Sequence, residues 1–167
     1  SHNIGFDIVD QLAIKLNSKL SSAKYGEVLK TKYAGKQIIL LKPNTFMNLS
    51  GKAVLYWLKK EKIDASNLII IVDDLNLDFG ISRIRKSGTD GGHNGLKDIA
   101  NSLNSTKFTR LRFGIGNNYK KENQVDFVLS KWNSEESAKI KIHLDKNAEI
   151  ILSSLKKGLE FTMNKYN

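Results

Sequence analysis

The sequence predicts an α/β fold, a single domain with a twisted mixed β-sheet flanked by helices. Three observations carry this expectation. Apolar residues switch repeatedly between three-to-four-residue helical spacing and short strand-like runs. The run LIIIV, Leu68 to Val72, is apolar throughout and mostly β-branched, the pattern of a strand covered on both faces as in a parallel sheet. ISRIR alternates apolar and basic residues, the pattern of a strand with one wet face, carrying Arg83 and Arg85. A chain of 167 residues with 40% hydrophobic composition can bury a substantial core as one domain.

In chain order, Phe6, Val9, Ala13, Leu16 and Leu20 step by three and four, so a helix begins just after His2 and Asn3. YGEVLKTKY and QIILL flank Ala34-Gly35-Lys36 and predict a hairpin. Phe46, Leu49, Ala53, Val54, Trp57 and Leu58 mark a second helix. The LIIIV strand ends in Asp73-Asp74, and functional groups in such sheets gather at carboxyl ends of strands. After ISRIR comes GTDGGHNGLKDI, then a helical stripe of Leu96, Ile99, Ala100 and Leu103. RLRFGIG is a further strand candidate, and a short helix is expected through Val125 and Leu129. The last helix starts near Asn133, with Glu136 at capping-box spacing, and runs through Ile140, Leu144, Ala148, Ile151, Leu155 and Leu159. On that helix His143 lies among Lys139, Lys141, Asp145 and Lys146, which reads as solvated surface.

The formal charge of +10 either attracts a phosphate-rich partner or reflects a lysine-rich, solubilising composition. The absence of cysteine excludes disulfides and thiolate metal sites. No apolar run approaches the roughly 20 residues that span a bilayer, and no signal-like segment is visible, so a cytoplasmic protein is expected. The glycines of GTDGGHNGLKDI have two readings. They can supply a turn before a capped helix, or bring backbone N–H groups at a helix start against an anion.

Taken together, HNIGF, NTFMNLSGKAV, VDDLNLDFG, GGHNGLKDI and RLRFGIG resemble bacterial peptidyl-tRNA hydrolase over most of the chain. The resemblance implies a monomeric α/β enzyme that uses no metal or cofactor. Its partner would be peptidyl-tRNA, engaged at the acceptor stem and 3′ end, with no membrane involved. The reaction implied is hydrolysis of the ester between a peptide and the 3′ ribose, which recycles tRNA from prematurely released chains. His2 matches the family's catalytic base and Asp73 the carboxylate that orients it. Asn48 and Asn94 match the amides that hold substrate and water, and Phe46 falls with them among the substrate-binding positions. Arg83 and Arg112 match the basic pair that clamps a tRNA phosphate, and His93 matches a structural or supporting position. Without the resemblance, Asp73 reads more readily as a turn cap and the two arginines as solvated strand charges.

The general chemistry agrees with the implied reaction. Ester hydrolysis needs an activated water and donors facing the developing oxyanion, and histidine titrates naturally near neutrality. The resemblance also implies an apolar strand and an Asn-Pro-Gly turn ahead of His2, and an arginine where Ser1 stands. The expectation is therefore one domain over residues 1–167, truncated at its N-terminus. The alternative is a tRNA- or RNA-binding relative of the same fold that has lost hydrolysis.

Overall fold

Strand β4, over Ile69–Asp74, organises the fold by dividing two helical layers from each other. The computed structural model describes residues 4–44, 50–116 and 134–167. Helix α1 covers Ile4–Lys15 and strands β1, β2 and β3 cover Ser21–Ala23, Gly26–Tyr33 and Lys36–Pro43. Helix α2, Ser50–Glu61, precedes β4, and β5, Ser82–Arg85, follows it. Then come α3 over Asn94–Leu103, β6 over Thr109–Gly114, α4 over Ser134–Lys157 and α5 over Leu159–Tyr166. The mixed α/β architecture expected from sequence is present, and among the described residues the strands form two three-stranded sheets, β1-β2-β3 and β4-β6-β5.

The first sheet is antiparallel, and its β2–β3 hairpin closes through Ala34 and Gly35, both at positive φ (51° and 77°). That combination matches the right-handed twist of the flanking strands. In the second sheet β4 runs parallel to β6, and β5 runs antiparallel to β6. Ile84 and Leu111 share a core with Val9 and Leu12 of α1 and Ile150 and Ile151 of α4. On the opposite face Val72 and Phe108 pack with Val54 of α2 and Leu96 and Ile99 of α3. Pleating thus sends alternate residues of each strand into different helical layers.

Several expectations change. Helix α1 ends at Lys15, so Leu20 joins the core from beyond the helix, after Asn17 at φ 53°. Phe6 is only half-buried, and Ile4, Ile8 and Leu12 carry the buried face with Val9 and Ala13. LIIIV was expected between neighbours, yet among the described residues β4 is an edge strand with only Val72 fully buried. A cavity of about 1150 Å³ lies beside it, lined by Ile38 and Leu40 of β3 and by Ile69 and Ile71 of β4. The long last helix is two helices, because Gly158 at φ 92° interrupts it between Leu155 and Leu159. The expected helix through Val125 and Leu129, and the cap at Asn133, lie outside the described residues. On the outer edge of β5, the Asn167 side chain accepts from the Ile84 N–H (2.9 Å) and donates to the Ile84 carbonyl (3.1 Å).

His143 is not surface. It is 4% exposed, its ring lies 4.9 Å from Phe79 and 6.2 Å from Phe113, and Asn147 Nδ2 approaches Nδ1 at 3.3 Å. Burial, reinforced by the Lys146 charge, pushes its pKa down from 6.5 to about 4. A depressed histidine is neutral when folded and charges more readily when unfolded, so its contribution is complete above pH 6.5. It is lost as pH falls towards 4. The expected loss across that window is about 3 kcal/mol. Urea unfolding at a series of pH values should show this decline, and His143→Gln should flatten it.

Candidate active site

The carboxyl ends of β4 and β6 meet the glycine-rich stretch before α3, and one histidine joins them. His93 is the N-cap of α3, and its Nδ1 accepts the Leu96 N–H at 3.3 Å. The proton of a neutral ring therefore sits on Nε2, which lies 3.3 Å from Asp73 Oδ1. This hydrogen bond holds the Asp73 carboxyl below its ordinary value against the opposing effect of burial. Asp73 remains 41% exposed and so still faces solvent. It stands in register beside Phe113, which packs with Ile4 and Ile8 of α1. The start of α1 is thereby brought to the end of β4 that carries Asp73.

The glycine-rich loop is held from beneath by arginines. Arg110 is 1% exposed, and its guanidinium donates to the carbonyls of Gly88 (2.8 Å), Thr89 (3.2 Å), Thr106 (2.6 Å) and Phe108 (3.1 Å). Arg112 donates to the Thr89 carbonyl at 3.0 Å and lies 3.7 Å from Asp74 Oδ2. Gly92, at φ 82°, then turns the chain towards His93, a conformation in which a Cβ would be strained. In the β5–β6 register Arg83 stands opposite Arg112 and Arg85 opposite Arg110. Four guanidinium groups therefore occupy one face of this ladder, and like charges directly opposite are destabilising unless an anion or bound carbonyls offset them. Arg83 is half-buried, with Nη1 on the Ser82 carbonyl.

Helix α2 begins beside α3. The Gly51 N–H donates to Asp98 Oδ2 at 2.6 Å, and a Cβ at Gly51 would collide with Ser102 and the Asp98 carbonyl. Only glycine allows this approach, which brings Ser50 close to the helix opened by Asn94. Asn94 itself is exposed on the first residue of α3. Of the residues singled out by sequence, the structure thus gathers Asp73, Asn94 and Arg112 around the loop, with Arg83 opposite Arg112. His2, Phe46 and Asn48 lie outside the described residues. Among the described residues no group of three metal-ligating side chains occurs. Sequence reasoning missed the anchoring role of Arg110 and the contact of His93 with Asp73. The signal for the first was its two-residue spacing from Arg112, which puts both on one strand face.

The family model described as Peptidyl-tRNA hydrolase matches residues 1–167. The chain belongs to the peptidyl-tRNA hydrolase family. It is 46% identical over 166 residues to the peptidyl-tRNA hydrolase of Parabacteroides distasonis, covering 99% of this chain and 89% of that relative. The enzyme of that name from Porphyromonas gingivalis is 46% identical over 167 residues, with 99% and 90% covered. The crystal structure of peptidyl-tRNA hydrolase from Acinetobacter baumannii superposes with a TM-score of 0.84 at 34% identity, over 99% of this chain and 85% of that one.

Within this peptidyl-tRNA hydrolase family member, removing the loop anchor has a defined cost. Arg110→Met would leave the carbonyls under the loop without their buried donor, and lost charged hydrogen bonds of this kind cost about 2–4 kcal/mol in total. Denaturant unfolding should show that loss, while Arg85→Met on the exposed neighbouring position should stay within about 0.5 kcal/mol of the parent.

Proposed function

We propose that the chain hydrolyses the ester bond between the peptide and the 3′ ribose of peptidyl-tRNA. The observation that carries the reading is the placement of Asp73. It is an anionic, partly exposed carboxylate steadied by His93 and set where the start of α1 meets β4. In this reading His2, two residues ahead of Ile4, takes a proton from water as general base. Asp73 orients the imidazole and stabilises the imidazolium that forms. The hydroxide adds to the ester carbonyl, and Asn48 and Asn94 donate to the developing oxyanion without changing charge. Collapse expels the ribose 3′ oxygen, which takes the proton back from His2, leaving a 3′-hydroxyl tRNA and a peptide carboxylic acid that loses its proton to solvent. Phe46 contributes to the substrate surface, and Arg83 and Arg112 contact the tRNA phosphate. The family match along the whole chain does not favour the alternative of a binding relative that has lost hydrolysis.

The reading extends to a cytoplasmic monomer that works as one domain over residues 1–167. Among the described residues no helix is long and apolar enough to cross a membrane. It also includes one further apolar strand, seated between β3 and β4. The cavity there exceeds the roughly 300–1,000 Å³ of small-ligand clefts. It lies between the edge strands of the two sheets, whose unpaired backbone groups are a template for a strand.

Release of peptide from purified peptidyl-tRNA tests the reaction. His2→Ala should lower turnover by about 10²–10⁴-fold with little change in tRNA affinity. Asp73→Asn should also slow turnover while the fold is kept, and parental rates in both variants would refute the assignment. Arg83→Ala should weaken tRNA binding and reduce its salt dependence by about one unit of slope. A version carrying an apolar strand and an Asn-Pro-Gly turn ahead of Ser1 should unfold at higher temperature and cleave faster than residues 1–167. Identical behaviour of the two would exclude the extra strand.

A further inference from the structure

A second concentration of positive charge lies away from the arginine face, on α2 and the β1–β2 turn. Lys52, Tyr56 and Lys60 recur every four residues on α2 and form one stripe about 12 Å long. Tyr25, in the turn, has φ 66°, an uncommon conformation for a bulky residue. Its ring meets Tyr56 edge-on at 5.4 Å, and Tyr56 meets Trp57 edge-on at 5.3 Å. Trp57 is buried, and its Nε1 donates to the Lys24 carbonyl at 2.9 Å, which ties the turn to the helix.

Four ammonium groups stand over these rings; Lys30, 5.9 Å from the Trp57 centroid, also pairs with Glu61, and the other three belong to Lys24, Lys52 and Lys60. Lys24 Nζ is 5.5 Å from the Tyr25 centroid and 5.1 Å from that of Tyr56. Lys52 is 5.5 Å from Tyr25, and Lys60 is 5.9 Å from Tyr56 and 5.3 Å from Trp57. All three lysines are exposed, and among the described residues none has a carboxylate partner; the nearby Glu61 is taken by Lys30. A solvated lysine face ordinarily interleaves acidic residues. Here the ammoniums are positioned by aromatic rings, which attract a cation without neutralising it. The lysines are therefore partly ordered before a partner arrives and keep their full charge, which reduces the entropy lost when they bind an anion.

We infer that this cluster is a second RNA-backbone contact, for the tRNA portion of the substrate remote from the ester. The inference rests on the hydrolase reading. Lys52 lies in the first turn of α2, which packs on the helix that Asn94 opens, and the stripe runs from there along α2. Nucleic acid carries roughly one phosphate per 3.4 Å of each strand in a duplex, so a 12 Å stripe meets about three of them. The faces of Tyr25 and Tyr56 are occupied by ammoniums, so the contact reads phosphate and not base identity.

The test compares the parent with Lys24→Gln/Lys52→Gln/Lys60→Gln, exposed changes expected to leave the fold intact. Binding of deacylated full-length tRNA is titrated across salt concentrations. The triple variant should lose about two to three units of slope and bind at least tenfold more weakly at low salt. Its turnover of a peptidyl ester on a short 3′-terminal oligonucleotide should equal the parent's. An unchanged slope overturns the inference, as does an equal defect on the oligonucleotide substrate. Loss of binding to anionic vesicles with tRNA binding intact also overturns it, by assigning the cluster to lipid. If the parent cleaved neither substrate, the hydrolase reading would fail, while the tRNA titration would still decide the contact.

Discussion

The buried Arg110 guanidinium is the constraint on which the site depends. Its donors tie carbonyls at the start of the stretch before α3 to others just beyond the end of α3, so the loop cannot relax without stranding a charge in the interior. A fixed loop fixes where α3 starts, and the start of α3 fixes His93 as its cap. The cap bond determines which ring nitrogen carries the proton, and that nitrogen meets Asp73. Burial lowers the Arg110 pKa from its ordinary value, with a smaller contribution from Arg112, but a guanidinium stays charged throughout the accessible range. The anchor is therefore insensitive to pH, whereas the His143 cluster on the other face is not.

The same sheet thus serves two chemistries through its pleat. One face gives Ile84, Leu111 and Phe113 to the core under α1 and α4. The other gives Val72 and Phe108 to α2 and α3, and its arginines to the loop and solvent. A one-residue slip of β6 against its neighbours would exchange Leu111 with Arg110 or Arg112, so burial on one side and charge on the other specify a single register.

What was legible in the sequence followed from local rules. The Ala34-Gly35 hairpin was readable because its strands flank a turn dipeptide, and α3 because Leu96, Ile99, Ala100 and Leu103 keep helical spacing. Asp73 was readable from its position after an apolar run. What escaped depended on tertiary context. Strand β1 is three exposed residues, Ser21–Ala23, with no apolar pattern to mark it. Leu155 and Leu159 continue one stripe across Gly158, so the helix break carried no periodic signal. Neighbouring lysines concealed the burial of His143, and an arginine in an alternating strand ordinarily points to water, which hid Arg110. The His93 contact with Asp73 joins residues twenty apart and exists only once β4 and α3 are packed.

The amide of Asn167 gives the second sheet an asymmetry of its own. By bonding both backbone groups of Ile84, it imitates a neighbouring strand at the middle of the β5 margin, where a foreign strand would otherwise find a donor and an acceptor. Among the described residues that margin is sealed with a single side chain instead of a strand. The opposite margin, at β4, faces the cavity shared with β3. Growth of this sheet is therefore directional: β-augmentation is blocked on the outer side and steered inward, where a strand would join the two sheets into one instead of linking one molecule to the next.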